Sequence, residues 1–128
     1  MIFINYKIMM SIQNITDDSF DEKVLKNSKP VCLRFTANWC GDWPLVFNRR
    51  GGKLGPCKAL APIVEEISNE MEEIDFGVMD IDEQPNTPTK FGVRGIPTCI
   101  FVVNGEVKST KVGMTSKSDF VAWLKENL

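Results

Sequence analysis

The chain has 128 residues, 43% of them hydrophobic, which suits one domain with one compact core. Its 15 basic and 17 acidic residues leave a net charge of −2, and no extended basic run offers a phosphate-binding face, so nucleic acid is not expected as a partner. No apolar stretch approaches the roughly 20 residues that cross a bilayer, and residues 1–10 lack the small-residue cleavage site of a signal peptide. A cytoplasmic protein with no membrane association is expected. Met10 followed by Ser11 is a second candidate start, which divides the chain into a tail over residues 1–10 and a domain over 11–128.

Alternating apolar residues around Ile12 and Ile15 predict a short first strand. Thr16, Asp17 and Asp18 supply acceptors to cap a helix through Phe20, Val24 and Leu25. The run Val31-Cys32-Leu33-Arg34-Phe35-Thr36 is β-branched and apolar enough, apart from Arg34, for a strand covered on both faces. Pro56 suits the first turn of a second helix, whose stripe of Leu60, Ile63, Val64, Ile67 and Met71 follows the helical period, with a kink expected at Pro62. A third strand is expected from Asp75 to Ile81, then a turn-rich segment with Pro85, Asn86 and Pro88 leading to Phe91. Asn104-Gly105 is a strong hairpin signal because both turn positions need positive φ, so its flanking strands should be antiparallel neighbours. Ser116 and Asp119 read as a capping box for a closing helix through Phe120, Val121, Trp123 and Leu124. Three strands alternating with two helices, then a hairpin and a helix, describe an α/β fold: a mixed central sheet flanked by helices on both faces.

Four cysteines, Cys32, Cys40, Cys57 and Cys99, are too few and too irregularly spaced for a secreted disulfide framework, so at least one pair is expected to do chemistry. Zinc is disfavoured: there is no histidine, and two of the cysteines lie in strand-like runs from which ligands would converge poorly. No metal and no bound cofactor are expected.

Trp39-Cys40 together with Gly55-Pro56-Cys57-Lys58 resembles a split form of the thioredoxin family's Trp-Cys-Gly-Pro-Cys-Lys motif. Gly95-Ile96-Pro97-Thr98 is similar to the family loop whose proline is cis, and Asn104-Gly105 and Gly113 fall at matching places. The resemblance runs from about residue 11 to 128 and implies a thioredoxin fold. It also implies a thiol–disulfide oxidoreductase in which Cys40 is the nucleophile and Cys57 the resolving thiol. A first cysteine just before a helix feels the positive end of the macrodipole, which favours the attacking thiolate. Trp39, Gly55, Pro56, Ile96 and Pro97 would then border the substrate, Ile96 presenting a strand-like backbone edge, although Trp39 reads equally well as ordinary packing. Protein disulfides as substrates, a thioredoxin-reductase-like electron donor and a monomeric state complete what the resemblance implies.

The chain departs from the family in three places. Fourteen residues, 41–54, separate Cys40 from Gly55, although Gly41 could equally be the motif glycine. Going from 2 to 16 residues between the cysteines is three doublings of loop length, roughly 2 kcal/mol against closure, or about 40 mV toward a more oxidising couple. The segment reads as a surface excursion hinged at Gly51-Gly52, or as a lid or partner site built on its apolar block Trp43-Pro44-Leu45-Val46-Phe47 with Arg49 or Arg50 near a thiolate. In the latter case the protein would be a redox-impaired binding module. Secondly, Arg34 and Val78 stand where the family often has a buried acid and a facing lysine; Arg34 should snorkel to water or reach an acid such as Asp80. Thirdly, Cys32 and Cys99 fall on strands that are neighbours in the family's sheet and read as core packing.

Overall fold

The structure, a computed structural model, describes residues 12–37 and 56–128, with residues 56–58 described by their backbone alone. The predicted tail, Cys40, Trp39, Gly55 and the segment 41–54 lie outside the described residues.

Five strands, β1 (Ile12–Asn14), β2 (Val31–Thr36), β3 (Asp75–Asp80), β4 (Thr98–Val103) and β5 (Glu106–Val112), form one sheet in the order β1-β3-β2-β4-β5. β1 and β2 pair parallel with β3, whereas β4 runs antiparallel to both β2 and β5. β2 is central, and all its residues except Thr36 are buried, which is why it reads as an apolar run without alternation. β5 forms the edge and alternates between half-buried and exposed residues over most of its length.

Because side chains alternate across a strand, β2 splits its residues between two cores. Leu33, Phe35, Ile100 and Val102 pack with Phe20, Val24 and Met79 on one face, beneath α1 (Asp21–Leu25). Cys32, Cys99, Phe101 and Phe76 pack on the other face with Leu60, Val64 and Ile67 of α2 (Pro56–Glu70) and with Phe120, Trp123 and Leu124 of α4 (Lys117–Glu126). The expected mixed sheet with helices on both faces is the one observed.

The ends of the elements follow local chemistry. α2 opens at Pro56, where a missing amide costs nothing, and continues through the exposed Pro62 to Glu70. Ser116 Oγ accepts from the Asp119 amide at 3.2 Å to cap α4. Asn104 (φ 54°) and Gly105 (φ 81°) make the tight turn between β4 and β5.

Three expectations are corrected. α1 is a short π-type helix, its last amide bond running from Lys26 N to Asp21 O at 2.9 Å. Asp17 does not cap α1: Thr16 Oγ1 accepts from the Ser19 amide instead, and Asp17 reaches across to the segment expected to be turn-rich. That segment contains a further helix, α3 (Asn86–Lys90). Asp17 Oδ1 accepts from the Thr87 amide at 2.8 Å and from Thr87 Oγ1 at 2.7 Å, while Oδ2 accepts from the Asn86 amide at 3.2 Å. These amides belong to the first turn of a helix and have no partner within it, so a carboxylate 70 positions away in sequence terminates α3.

Candidate active site at the carboxyl end of the parallel strands

A crossover helix joining two parallel strands runs back along the sheet, so the N-terminus of α2 lies at the carboxyl end of β2. Cys57 is in the first turn of that helix, and its position precedes Leu60 and Val64 at helical spacing. The chain leading to Cys40 leaves the same end of β2 through Ala37, which is buried. In open sheets of this kind, crevices for ligands form outside the carboxyl ends of the strands.

Beside that end the antiparallel partner begins. Phe35 is opposite Thr98, so the segment Gly95-Ile96-Pro97 adjoins the exit of β2. The Ile96–Pro97 bond is cis, as the resemblance implies, with Pro97 fully buried and Ile96 half-buried. Two bonds hold this loop: Thr98 Oγ1 donates to Gly95 O, and the Gly113 amide donates to Pro97 O at 2.8 Å. Gly113 adopts φ 92°, a conformation that side chains disfavour, and so brings its amide to the loop from the end of β5. Of the predicted site residues, Ile96 and Pro97 are thus placed at the end of the sheet where α2 begins. Pro56 and Cys57 are placed there by their backbone. Cys40, Trp39 and Gly55 fall outside the described residues.

Arg34 makes no ion pair with Asp80: it is 8% exposed in the middle of β2, and of its guanidinium nitrogens Nε is buried without a hydrogen-bond partner. Asp80 is engaged elsewhere, its Oδ1 accepting from the Asp82 amide at 2.8 Å. Arg34 sits opposite Cys99 on β4 and Val78 on β3. Strand alternation puts Cys32 on the same face, and Cys32 and Cys99 are in mutual hydrogen-bond reach. Burial, the hydrogen bond to Cys99 and the charge of Cys99 push the Cys32 thiol well up, with Arg34 acting weakly in the opposite direction. Burial in turn lowers the Arg34 pKa, against the pull of Cys99 and Cys32. Both thiols are free and lie in the apolar core, as the core-packing reading expects.

A mixed five-stranded sheet covered by helices on both faces, with a cis-proline loop at the end from which a cysteine-bearing helix departs, is the thioredoxin fold. Comparison with known proteins agrees. The thioredoxin family model matches residues 53–126. The thioredoxin of Rickettsia bellii is 41% identical over 116 residues, covering 90% of this chain and 97% of that protein. The thioredoxin of Allochromatium vinosum is 42% identical over 118 residues (91% and 97%), and that of Pseudomonas aeruginosa 39% over 118 residues (91% and 96%). The chain belongs to the thioredoxin family, whose common chemistry is thiol–disulfide exchange.

Proposed function

We propose that the protein reduces protein disulfides by dithiol exchange, with Cys40 as nucleophile and Cys57 as resolving thiol. The Cys40 thiolate attacks one sulfur of a substrate disulfide, forming a mixed disulfide and expelling the other sulfur as a thiolate. Cys57 then attacks Cys40, the second substrate thiol leaves, and two electrons have passed to the substrate as the Cys40–Cys57 disulfide forms. A thioredoxin-reductase-like donor restores the dithiol, so no bound cofactor is required. Trp39, Gly55, Pro56, Ile96 and Pro97 border the substrate in this reading, and the protein acts in the cytoplasm as a monomer.

The observation that carries the proposal is the position of Cys57 in the first turn of α2, at the carboxyl end of β2 and on the side where the Ile96–Pro97 loop lies. Unpaired amides and the positive end of the helix dipole favour a thiolate there. Relatives near 40% identity across nine-tenths of the chain support the same chemistry. The extra residues 41–54 bear on rate and potential: a disulfide needs Cα atoms about 4.4–6.8 Å apart, which a loop with adjacent ends supplies whatever its length.

Insulin-disulfide reduction with dithiothreitol as electron source tests this, comparing the parent, Cys40→Ser and a variant lacking residues 41–54. Turnover by the parent and its loss in Cys40→Ser are expected. Activity in the deletion variant alone would instead make the parent a binding module whose inserted segment silences the cysteine pair.

A further inference from the structure

Most large apolar side chains of the described residues are buried, so an adjacent pair left in water is informative. Val112 is 68% exposed and Met114 48%, and the two flank Gly113 at the end of β5. The Gly113 amide donates to Pro97 O at 2.8 Å, which fixes this pair beside the cis-proline loop. Thr98 is opposite Val112, and the bond between Gly113 and Pro97 carries that register one residue further. The next step sets Met114 level with Ile96, the residue that offers its backbone edge to the substrate in the function proposed above. The two apolar side chains therefore extend the Ile96–Pro97 edge. An extended segment paired along Ile96 projects its side chains alternately, and the apolar ones have Val112 and Met114 to cover.

Met114 also differs from the other described methionines. Met71 and Met79 are 6% and 0% exposed and packed into the two cores, where a dissolved oxidant does not reach them. Met1, Met9 and Met10 lie outside the described residues. A thioether has no proton to lose before it reacts, so access decides which methionine a peroxide finds.

We propose that Met114 is an oxidation site through which a hydroperoxide weakens the docking of protein disulfides at the Ile96–Pro97 edge, an inference that rests on the dithiol-exchange reading for what docks there.

The thioether sulfur attacks one oxygen of the hydroperoxide, the O–O bond breaks and an S–O bond forms. Sulfur gives up two electrons, the proton on the transferred oxygen passes to the departing one, and water or an alcohol leaves. Methionine adapts to varied apolar partners because its side chain is unbranched and polarisable. The sulfoxide is polar and chiral, and covering its oxygen with an apolar substrate residue removes water without supplying a donor. Docking weakens while the loop backbone stays held by Thr98 and Gly113. A dithiol returns oxidised cysteines to thiols, whereas methionine sulfoxide is returned by its own class of reductase, so the mark outlasts the oxidation of the cysteine pair.

The test uses the full chain with Cys40→Ser and Cys57→Ser, which cannot exchange disulfides, treated with hydrogen peroxide and then dithiothreitol. Insulin immobilised on a sensor is the docking probe. Peptide mass spectrometry should find one added oxygen on Met114 before any on Met71 or Met79. The oxidised chain should bind insulin on the order of 10-fold more weakly, roughly the loss of one or two buried methylene groups. Adding Met114→Leu, which takes up no oxygen, should give one affinity before and after treatment and so separates Met114 from Met1, Met9 and Met10. Met114→Gln, a permanent polar substitute, should bind weakly without treatment. In the chain with its cysteines intact, the same ratio should appear in KM for insulin and not in kcat. Oxygen found first on a core methionine, no binding of insulin by the untreated chain, unchanged binding once Met114 is oxidised, or an equal loss in the treated Met114→Leu chain would each overturn the proposal. A parent that fails to reduce insulin while oxidation of Met114 still weakens binding would refute the exchange reading and support the docking role.

Discussion

Arg34 combines a charged group with a position that does not accommodate one. At 8% exposure Arg34 is largely withdrawn from water, its Nε is buried without a hydrogen-bond partner, and burial lowers its pKa. Desolvation of an ion costs several kcal/mol. Methionine has an unbranched side chain and needs no hydrogen bond. Arg34→Met is therefore expected to stabilise the protein by about 1–3 kcal/mol, seen as a higher urea midpoint with an unchanged slope. A lower midpoint would mean that the guanidinium has a strong partner and that the buried charge is satisfied.

Among the described glycines, the closest approach is at Gly77 of β3, against the residue that follows β1. Gly77 lies opposite Gln13 on β1 and Leu33 on β2, and a Cβ there would stand 2.7 Å from Ile15 Cγ1 and 3.4 Å from Leu33 Cδ1. Ile15 is buried, and its Cγ1 is the branch next to the backbone, so it cannot swing away without moving the chain. Gly77→Ala is expected to cost about 1–3 kcal/mol in urea unfolding despite the usual preference of strands for a side chain. A neutral result would show that β1 is free to shift relative to β3. This explains why glycine occurs within an otherwise apolar strand, a point that the strand's periodicity does not convey. The hairpin is the opposite case: Asn104-Gly105 announces its geometry in two letters because turn chemistry is local.

For the molecule as a whole, Asp17 is the clearest long-range fastener, joining the connection after β1 to α3 across 70 positions. Desolvation raises its pKa, but hydrogen bonds from the Thr87 hydroxyl, the Thr87 amide and the Asn86 amide outweigh that, and the folded-state value lies below the ordinary one. A carboxyl group depressed in the folded state contributes stability that is present above its unfolded pKa and lost as pH falls through the folded value. Asp17→Asn should therefore melt below the parent at neutral pH, and the gap should close as pH drops below about 4. A gap that persists unchanged into acid would assign the effect to the geometry of the bonds instead of the charge.

The sequence by itself determined the elements whose signals are local or periodic. The apolar run of β2, the period of α2, the cap of α4 and the hairpin turn all appear where those signals lie, and the thioredoxin-like motifs gave the fold class and the cis bond before Pro97. The tertiary structure alone decided what depends on partners distant in sequence. Asp17 could not be assigned to α3 from its neighbours, because Thr16 and Ser19 offer an equally good local use for a turn. Cys32 and Cys99 were legible as residues of neighbouring strands, but only strand register put Arg34 opposite Cys99 and on the same face as Cys32. Register is set by which residues the whole sheet can bury together, so no single segment encodes it.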